Sequence, residues 1–179
     1  MKNLKKVEEI IKEHGYEDHR WVSGKDIEVA RWVRMKCMFG CPNYGTRGTC
    51  PPNVPPVEEC GELFREYERI AIIRISARAE EIKDHRKWSR DTNRNLLELE
   101  KSVFKAGYPK AFVLFVDGNC LCDECTGGGR ECTNRAGARP SPESLGVDVF
   151  STVKKCGFPL EVLAEPSGEM NRYSFLLVS

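Results

Sequence analysis

The chain is 179 residues long with a mass of 20.3 kDa, the size of one domain at the usual ~100–200 residues. Hydrophobic residues make up 40% and charged residues 31%, and Lys plus Arg at 28 against Asp plus Glu at 27 leave a formal net charge of +1. That balance excludes the basic excess of a strong nucleic-acid binder. No run of roughly 18 apolar residues offers a membrane span, and the charged opening MKNLKKVEEIIKEHG lacks the apolar stretch of a signal peptide. The expectation is one cytoplasmic domain over residues 1–179, with neither nucleic acid nor membrane among its partners.

Leu4, Val7, Ile10 and Ile11 recur at helical spacing and predict an amphipathic packing helix over residues 3–13 that stops at Gly15. Residues 21–37 fit two periods. Ile27, Val29, Arg31, Val33 and Met35 alternate as on a strand, whereas Ile27, Ala30, Arg31 and Arg34 share a helix face; the extended form is preferred. Residues 37–56, CMFGCPNYGTRGTCPPNVPP, are too rich in Gly, Pro, Asn and Thr for either interior and predict an ordered loop. A helix over 57–67 follows on Leu63, Phe64 and Tyr67, then a buried strand over 69–77 (RIAIIRISA). Residues 83–105 read as a long charged helix with Leu96, Leu97, Leu99, Val103 and Phe104 as its late apolar positions, and 110–116 (KAFVLFV) as a second buried strand.

Helix, strand, helix, strand predicts a βαβ unit, with parallel strands if both join one sheet. Residues 117–139 form a second loop, rich in Gly and Cys, that leaves the C-terminal end of a strand, where open α/β sheets place their sites. Ser141, Pro142 and Glu143 read as N-cap, first-turn proline and dipole-compatible acid of a helix reaching Lys155 and ended by Gly157. Two late strands are expected over 160–164 and 173–178. The predicted class is α/β, a mixed sheet with a βαβ unit and helices packed on it, bearing two cysteine-rich metal-binding loops at about residues 37–60 and 118–139.

Nine cysteines are the unusual feature. At about 5% of the chain they fall below the ~8–10% of a secreted disulfide scaffold, and their number is odd, so metal or redox chemistry leads. They group as Cys37-x3-Cys41-x8-Cys50-x9-Cys60 and Cys120-x-Cys122-x2-Cys125-x6-Cys132, with Cys156 left over as a small core residue. His14, His19 and His85 lie away from both groups, so any site is mostly thiolate. Four sulfurs suit a tetrahedral zinc ion or a cubane iron-sulfur cluster. Proline after Cys41 and Cys50 and the wide Cys37 to Cys60 span favour iron-sulfur. So does the presence of one C-x2-C pair, Cys122 and Cys125, where a zinc ribbon has two. Tyr44 stands where a radical-SAM signature would need its third cysteine.

The leading expectation is therefore two [4Fe-4S]-type clusters, in an electron carrier or a reductive activator of a partner enzyme, with a redox partner protein docking near Arg130, Arg135 and Arg139. Arg34, Lys36 and Arg47 bracket the first group as candidates for charge compensation. Two alternatives stand beside it: a four-cysteine zinc module that is structural or holds a partner, and an enzyme whose cluster has an open iron site, as when Cys60 is not a ligand. Gly127, Gly128 and Gly129 lack the Gly-Lys-Ser/Thr of a phosphate loop and read as slack between Cys125 and Cys132. Asp84, Asp91, Glu98 and Glu100 form no paired constellation.

The strings Val33-Arg34-Met35-Lys36-Cys37, Cys41-Pro42-Asn43-Tyr44-Gly45, Cys50-Pro51-Pro52, Glu59-Cys60 and Arg65-Glu66-Tyr67 resemble the N-terminal signature of domain of unknown function family 2284. The second half resembles it in Cys120, Leu121-Cys122, Cys125, Cys132, Ala138-Arg139-Pro140-Ser141 and Gly146-Val147-Asp148-Val149. The resemblance covers residues 33–157. It implies a metal or iron-sulfur role for the matched cysteines and an anaerobic prokaryotic host such as a methanogenic archaeon, and it implies no particular reaction. The Cys120-Leu121-Cys122 step is one residue shorter than the family pattern leads one to expect.

Overall fold

A computed structural model describes residues 4–78, 82, 84–119, 121–122, 132–159 and 169–179. Helix α1 spans Leu4–Glu13, β1 His19–Val22, α2 Arg31–Gly40, α3 Val57–Arg65, β2 Ile70–Arg78, α4 His85–Lys105, β3 Phe112–Leu114, α5 Val149–Lys155 and β4 Glu169–Leu177. The α/β class and the helices packed on a sheet are as expected.

The sheet order is β1-β2-β4-β3, and every pairing is antiparallel. β2 and β3 therefore run parallel and are joined through α4, as the βαβ pattern predicts, but β4 lies between them. The expected mixed sheet becomes a split βαβ unit in which β4, with Phe175, Leu176 and Leu177 fully buried, takes the place between β2 and β3. Both faces are covered, which is why β2 reads as a continuous apolar run. On one face Ala71, Ile73, Val113 and Leu176 pack against Val7 and Ile11 of α1 and Leu96, Leu99 and Val103 of α4. On the other, Ile70, Ile72, Leu114, Phe175 and Leu177 meet Cys60 and Phe64 of α3 and Val149 and Val153 of α5. Each fully buried aliphatic or aromatic side chain of this kind contributes ~1.5–3 kcal/mol.

Two expectations change. Residues 31–40 are helical, not extended: Ala30 is the extended N-cap, and only Val33 is buried, so no apolar face announces the helix. The segment is held to the chain ahead of α5 by Ala30 N–H donating to the Gly146 carbonyl (2.8 Å), Asp148 N–H donating to the Glu28 carbonyl (2.7 Å) and a bridge between Val29 and Val147. The single helix expected from Ser141 to Lys155 is divided into a 3-10 turn at Glu143–Leu145 and α5, which Asp148 caps. Gly146 makes the break at φ +83°, where a Cβ would also stand 3.2 Å from Val57 Cγ1. Ser141 keeps a capping role, its hydroxyl accepting from Ser144 N–H at 3.4 Å. The strand expected over 160–164 lies outside the described residues.

A buried ion pair secures the chain after the second cysteine loop. Arg139 donates to both oxygens of Glu100 (2.8 and 2.5 Å), and Glu100 also accepts from Val113 N–H at 2.7 Å. Their side chains are 14% and 9% exposed, and the guanidinium lies 4.9 Å over the Phe112 ring. Removing one partner strands the other charge in the interior, which costs about 3–5 kcal/mol. Glu100→Ala should therefore lower unfolding free energy by about 3 kcal/mol or more in urea denaturation; a loss under about 1 kcal/mol would contradict this account of the pair.

Candidate metal centre and its cleft

The first cysteine group is built on the end of α2. Cys37 lies in the last turn and Cys41 is the C-cap, its N–H donating to the Cys37 carbonyl at 3.4 Å, so the two are one helical turn apart. The chain then folds back through successive turns. Tyr44 N–H donates to the Cys41 carbonyl (3.1 Å), Gly45 N–H to Pro51 (2.8 Å) and Cys50 N–H to Arg47 (3.1 Å), and the Pro51-Pro52 bond is cis. The ordered loop predicted over 37–56 thus begins in a helix and continues as a wrapped turn.

Cys37, Cys41 and Cys50 form one electrostatic group. Burial pushes the Cys37 and Cys50 thiols up, the neighbouring cysteines raise both further, and Arg34 beside Cys37 and Arg47 beside Cys50 oppose the rise. Cys60 has a different setting. It is 1% exposed, packs with Phe64 in the core, and donates its S–H to the Pro55 carbonyl at 3.5 Å. Burial raises its thiol too, and the charges acting on it are Arg34, Glu59 and Glu58. Cys156 donates to the Thr152 carbonyl at 3.2 Å and packs against the same core.

Two buried polar atoms near the first group lack a hydrogen-bond partner, Arg34 Nε on α2 and Asn119 Oδ1 beside the second loop. Buried polar groups are normally satisfied, so a donor and an acceptor here are left over. Three soft thiols flanked by two guanidinium groups are the donor chemistry that a thiophilic metal or an iron-sulfur cluster requires, and in this respect the residues fit such a group. Among the described residues, no three His, Cys, Asp or Glu side chains stand close enough to hold a single metal ion. The described cysteines, Cys37, Cys41, Cys50, Cys60, Cys122, Cys132 and Cys156, are all free thiols.

Of the second group, Cys122 and Cys132 are half-buried, and Cys120 and Cys125 lie outside the described residues, as do Gly127 to Arg130. The start of this loop is firmly anchored. Buried Asn93 donates to the Val116 and Gly118 carbonyls and accepts from Val116 N–H (3.0–3.1 Å), Leu121 packs on the core, and Arg47 of the first loop donates to the Asn119 carbonyl at 3.1 Å. The two cysteine loops therefore touch. Arg139, expected at a docking face, is committed to Glu100; Arg135 is exposed. Lys36 lies over the Trp32 ring at 5.3 Å rather than against the thiols.

Cys37 and Cys41 line a cleft of about 1510 Å³. One wall is apolar, with Trp32, Met35 and Phe39 of α2 and Phe150 of α5; the other is polar and comes from Arg74 of β2, the start of β4 and Asp117 beyond β3. Of the loop that leaves the carboxyl end of β3, where open α/β sheets place their sites, Asp117 lines this cleft. Asp117, at the foot of the second loop, adopts φ 52°, a left-handed backbone uncommon outside glycine. It is held there by Ser89 (2.9 Å) and by Arg172 (2.8 Å). Glu143 projects into the cleft from the 3-10 turn. The residue is exposed, yet desolvation by the protein around its carboxyl pushes that group up, Asp117 adds to the rise and Arg172 opposes it.

Sequence reasoning missed the cleft residues Asp117, Glu143 and Arg172. Asp117 had a signal, since it directly follows the KAFVLFV run. Glu143 read as a helix-start acid, and Arg172 as one charge among many.

No helix among the described residues is long and apolar enough to cross a membrane. No curated protein and no solved structure matches the chain. One family model, described as a predicted metal-binding protein, matches residues 20–178 and so includes both cysteine loops, the cleft walls and all four strands but the first residue of β1. The chain belongs to that family, DUF2284.

Proposed function

We propose that this chain is an iron-sulfur protein in which Cys37, Cys41 and Cys50 hold a [4Fe-4S]-type cluster whose fourth position opens on the cleft. In this reading Cys120, Cys122, Cys125 and Cys132 hold a second cluster that links it to a redox partner protein. The observation that supports it is the meeting of three mutually interacting thiols with a large cleft, two of the three being part of its wall. When bound, the clusters supply one-electron transfer, and the first also supplies a Lewis-acidic iron facing the cleft.

The remaining work falls to the chain's own residues. Arg34 and Arg47 offset the thiolate charge, which favours the more reduced state. Arg34 also donates to the Pro55 (3.3 Å) and Ser144 (3.1 Å) carbonyls and so fixes α2 against both flanking segments. Arg47, donating to the Asn119 carbonyl, ties the first loop to the second. The apolar wall excludes water, and Glu143 and the Asp117–Arg172 pair offer hydrogen bonds to whatever enters.

Two outcomes check this. Protein purified without air should be brown, bleach with dithionite, and contain about eight iron and about eight acid-labile sulfide per chain; colourless protein with stoichiometric zinc and no sulfide would overturn it. Cys60 serves here as a core residue. Cys60→Ala should thus keep its iron, whereas Cys37→Ala and Cys50→Ala should each lose about half of theirs, as read by iron and sulfide analysis alongside the visible spectrum. Equal iron loss in Cys60→Ala and Cys37→Ala would instead make Cys60 the fourth ligand.

A further inference from the structure

We infer that the cleft is a binding site for an organic cation, a molecule bearing an ammonium or other positive centre on an apolar, ring-sized body. As a substrate site for the first metal centre the inference rests on the reading above; as a binding site it rests on the cleft alone.

Size comes first. At about 1510 Å³ the space exceeds the roughly 300–1,000 Å³ of ordinary ligand clefts, so it admits a molecule of cofactor dimensions. The apolar wall comes next. Trp32, Phe39 and Phe150 are 47%, 79% and 43% exposed and all line the cleft. Three large aromatic side chains turned toward one space are poorly explained by folding, since each forgoes the burial that would stabilise it. Their common chemical property is a negative ring face, which attracts cations. Trp32 already uses it: Lys36 Nζ lies 5.3 Å from its ring centroid, so the face receives a positive charge, which a bound cation would replace.

The polar wall selects the same sign. Arg172 is engaged by Asp117 (2.8 Å), and Arg74 by Asp18 (2.6 Å), so the two guanidinium groups of this wall are already neutralised by carboxylates. Asp148 is spent on capping α5 through Ser151. Glu143 lines the cleft and is not part of an ion pair among the described residues; burial works against its charge, while hydrogen bonding at Ser141 and at its own backbone works for it. An anion entering here would meet the Glu143 carboxyl and two guanidinium groups already paired with carboxylates. A cation would meet Glu143, an exposed residue of the lining, and ring faces along the wall; its own positive charge would draw the carboxyl towards the ionised form, the combination by which aromatic sites recognise ammonium groups.

The test uses the full-length protein and two fluorescent dyes of similar size and opposite charge, the cation thioflavin T and the anion 8-anilinonaphthalene-1-sulfonate. Thioflavin T should bind saturably at one per chain. Glu143→Gln and Trp32→Ala should each weaken it roughly tenfold with unchanged far-UV circular dichroism and thermal midpoint, and benzyltrimethylammonium should displace it. The sulfonate dye should bind at least tenfold more weakly and be insensitive to Glu143→Gln. Equal binding of both dyes, no saturable thioflavin T binding, or two folded variants that bind as the parent does would each overturn the inference. Running the titration on metal-free and on anaerobically prepared protein, with iron and sulfide measured in the same samples, separates the two ideas. Dye binding without sulfide sinks the cluster and spares the cation site; sulfide without dye binding does the reverse.

Discussion

The position of β4 between β2 and β3 is the constraint on which both the core and the cleft depend. Its C-terminal half, Phe175 to Leu177, pairs with Ile70 to Ile72 on one side and Phe112 to Leu114 on the other, and supplies side chains to both faces of the sheet. Its N-terminal half is polar. Asn171, Arg172 and Tyr173, opposite Ser76, Ile75 and Arg74, run past the end of β3 and form the polar wall of the cleft. One strand therefore changes from core member to site member along its length, and β3, only three residues long, ends early enough to leave that wall open.

The second determinant is the tether between residues 28–34 and 144–148. Backbone hydrogen bonds from Ala30 to Gly146 and from Asp148 to Glu28, with Arg34 donating to Ser144, fix α2 at the cleft mouth although Val33 is its one buried residue. The same tether brings the turn that carries Glu143 to α2, so that Glu143 and Cys37 line one cleft. A helix held by polar contacts instead of by an apolar face keeps Trp32, Met35 and Phe39 free for the cleft. That trade of core burial for an accessible wall is what a site costs the fold.

Much of the framework was legible in the sequence. Helix α1, helix α4 and strand β2 announced themselves by period and composition, because each contributes a full face to the core. Helix α2 did not, for the reason just given: Ile27 and Arg31 fit both periods, and one buried residue makes no stripe. The division of the expected 141–155 helix depended on Gly146 meeting Val57, a contact far apart in the chain, and the insertion of β4 between β2 and β3 is likewise a long-range choice that local pattern does not encode. The cysteine groups were visible as spacing, yet spacing could not tell that Cys60 turns into the core while Cys37 and Cys41 face the cleft. Glu143 and Arg172 gain their meaning only from what surrounds them.

The central claim is that Cys37, Cys41 and Cys50 gather an iron-sulfur cluster at the wall of the cleft. Anomalous diffraction at the iron edge, from crystals grown without air, addresses it most directly. The account predicts a strong iron peak among these three sulfurs, bordering the cleft and away from Cys60 Sγ. An absence of iron there in crystals whose thiols are unoxidised, or a zinc-edge peak in its place, would contradict it.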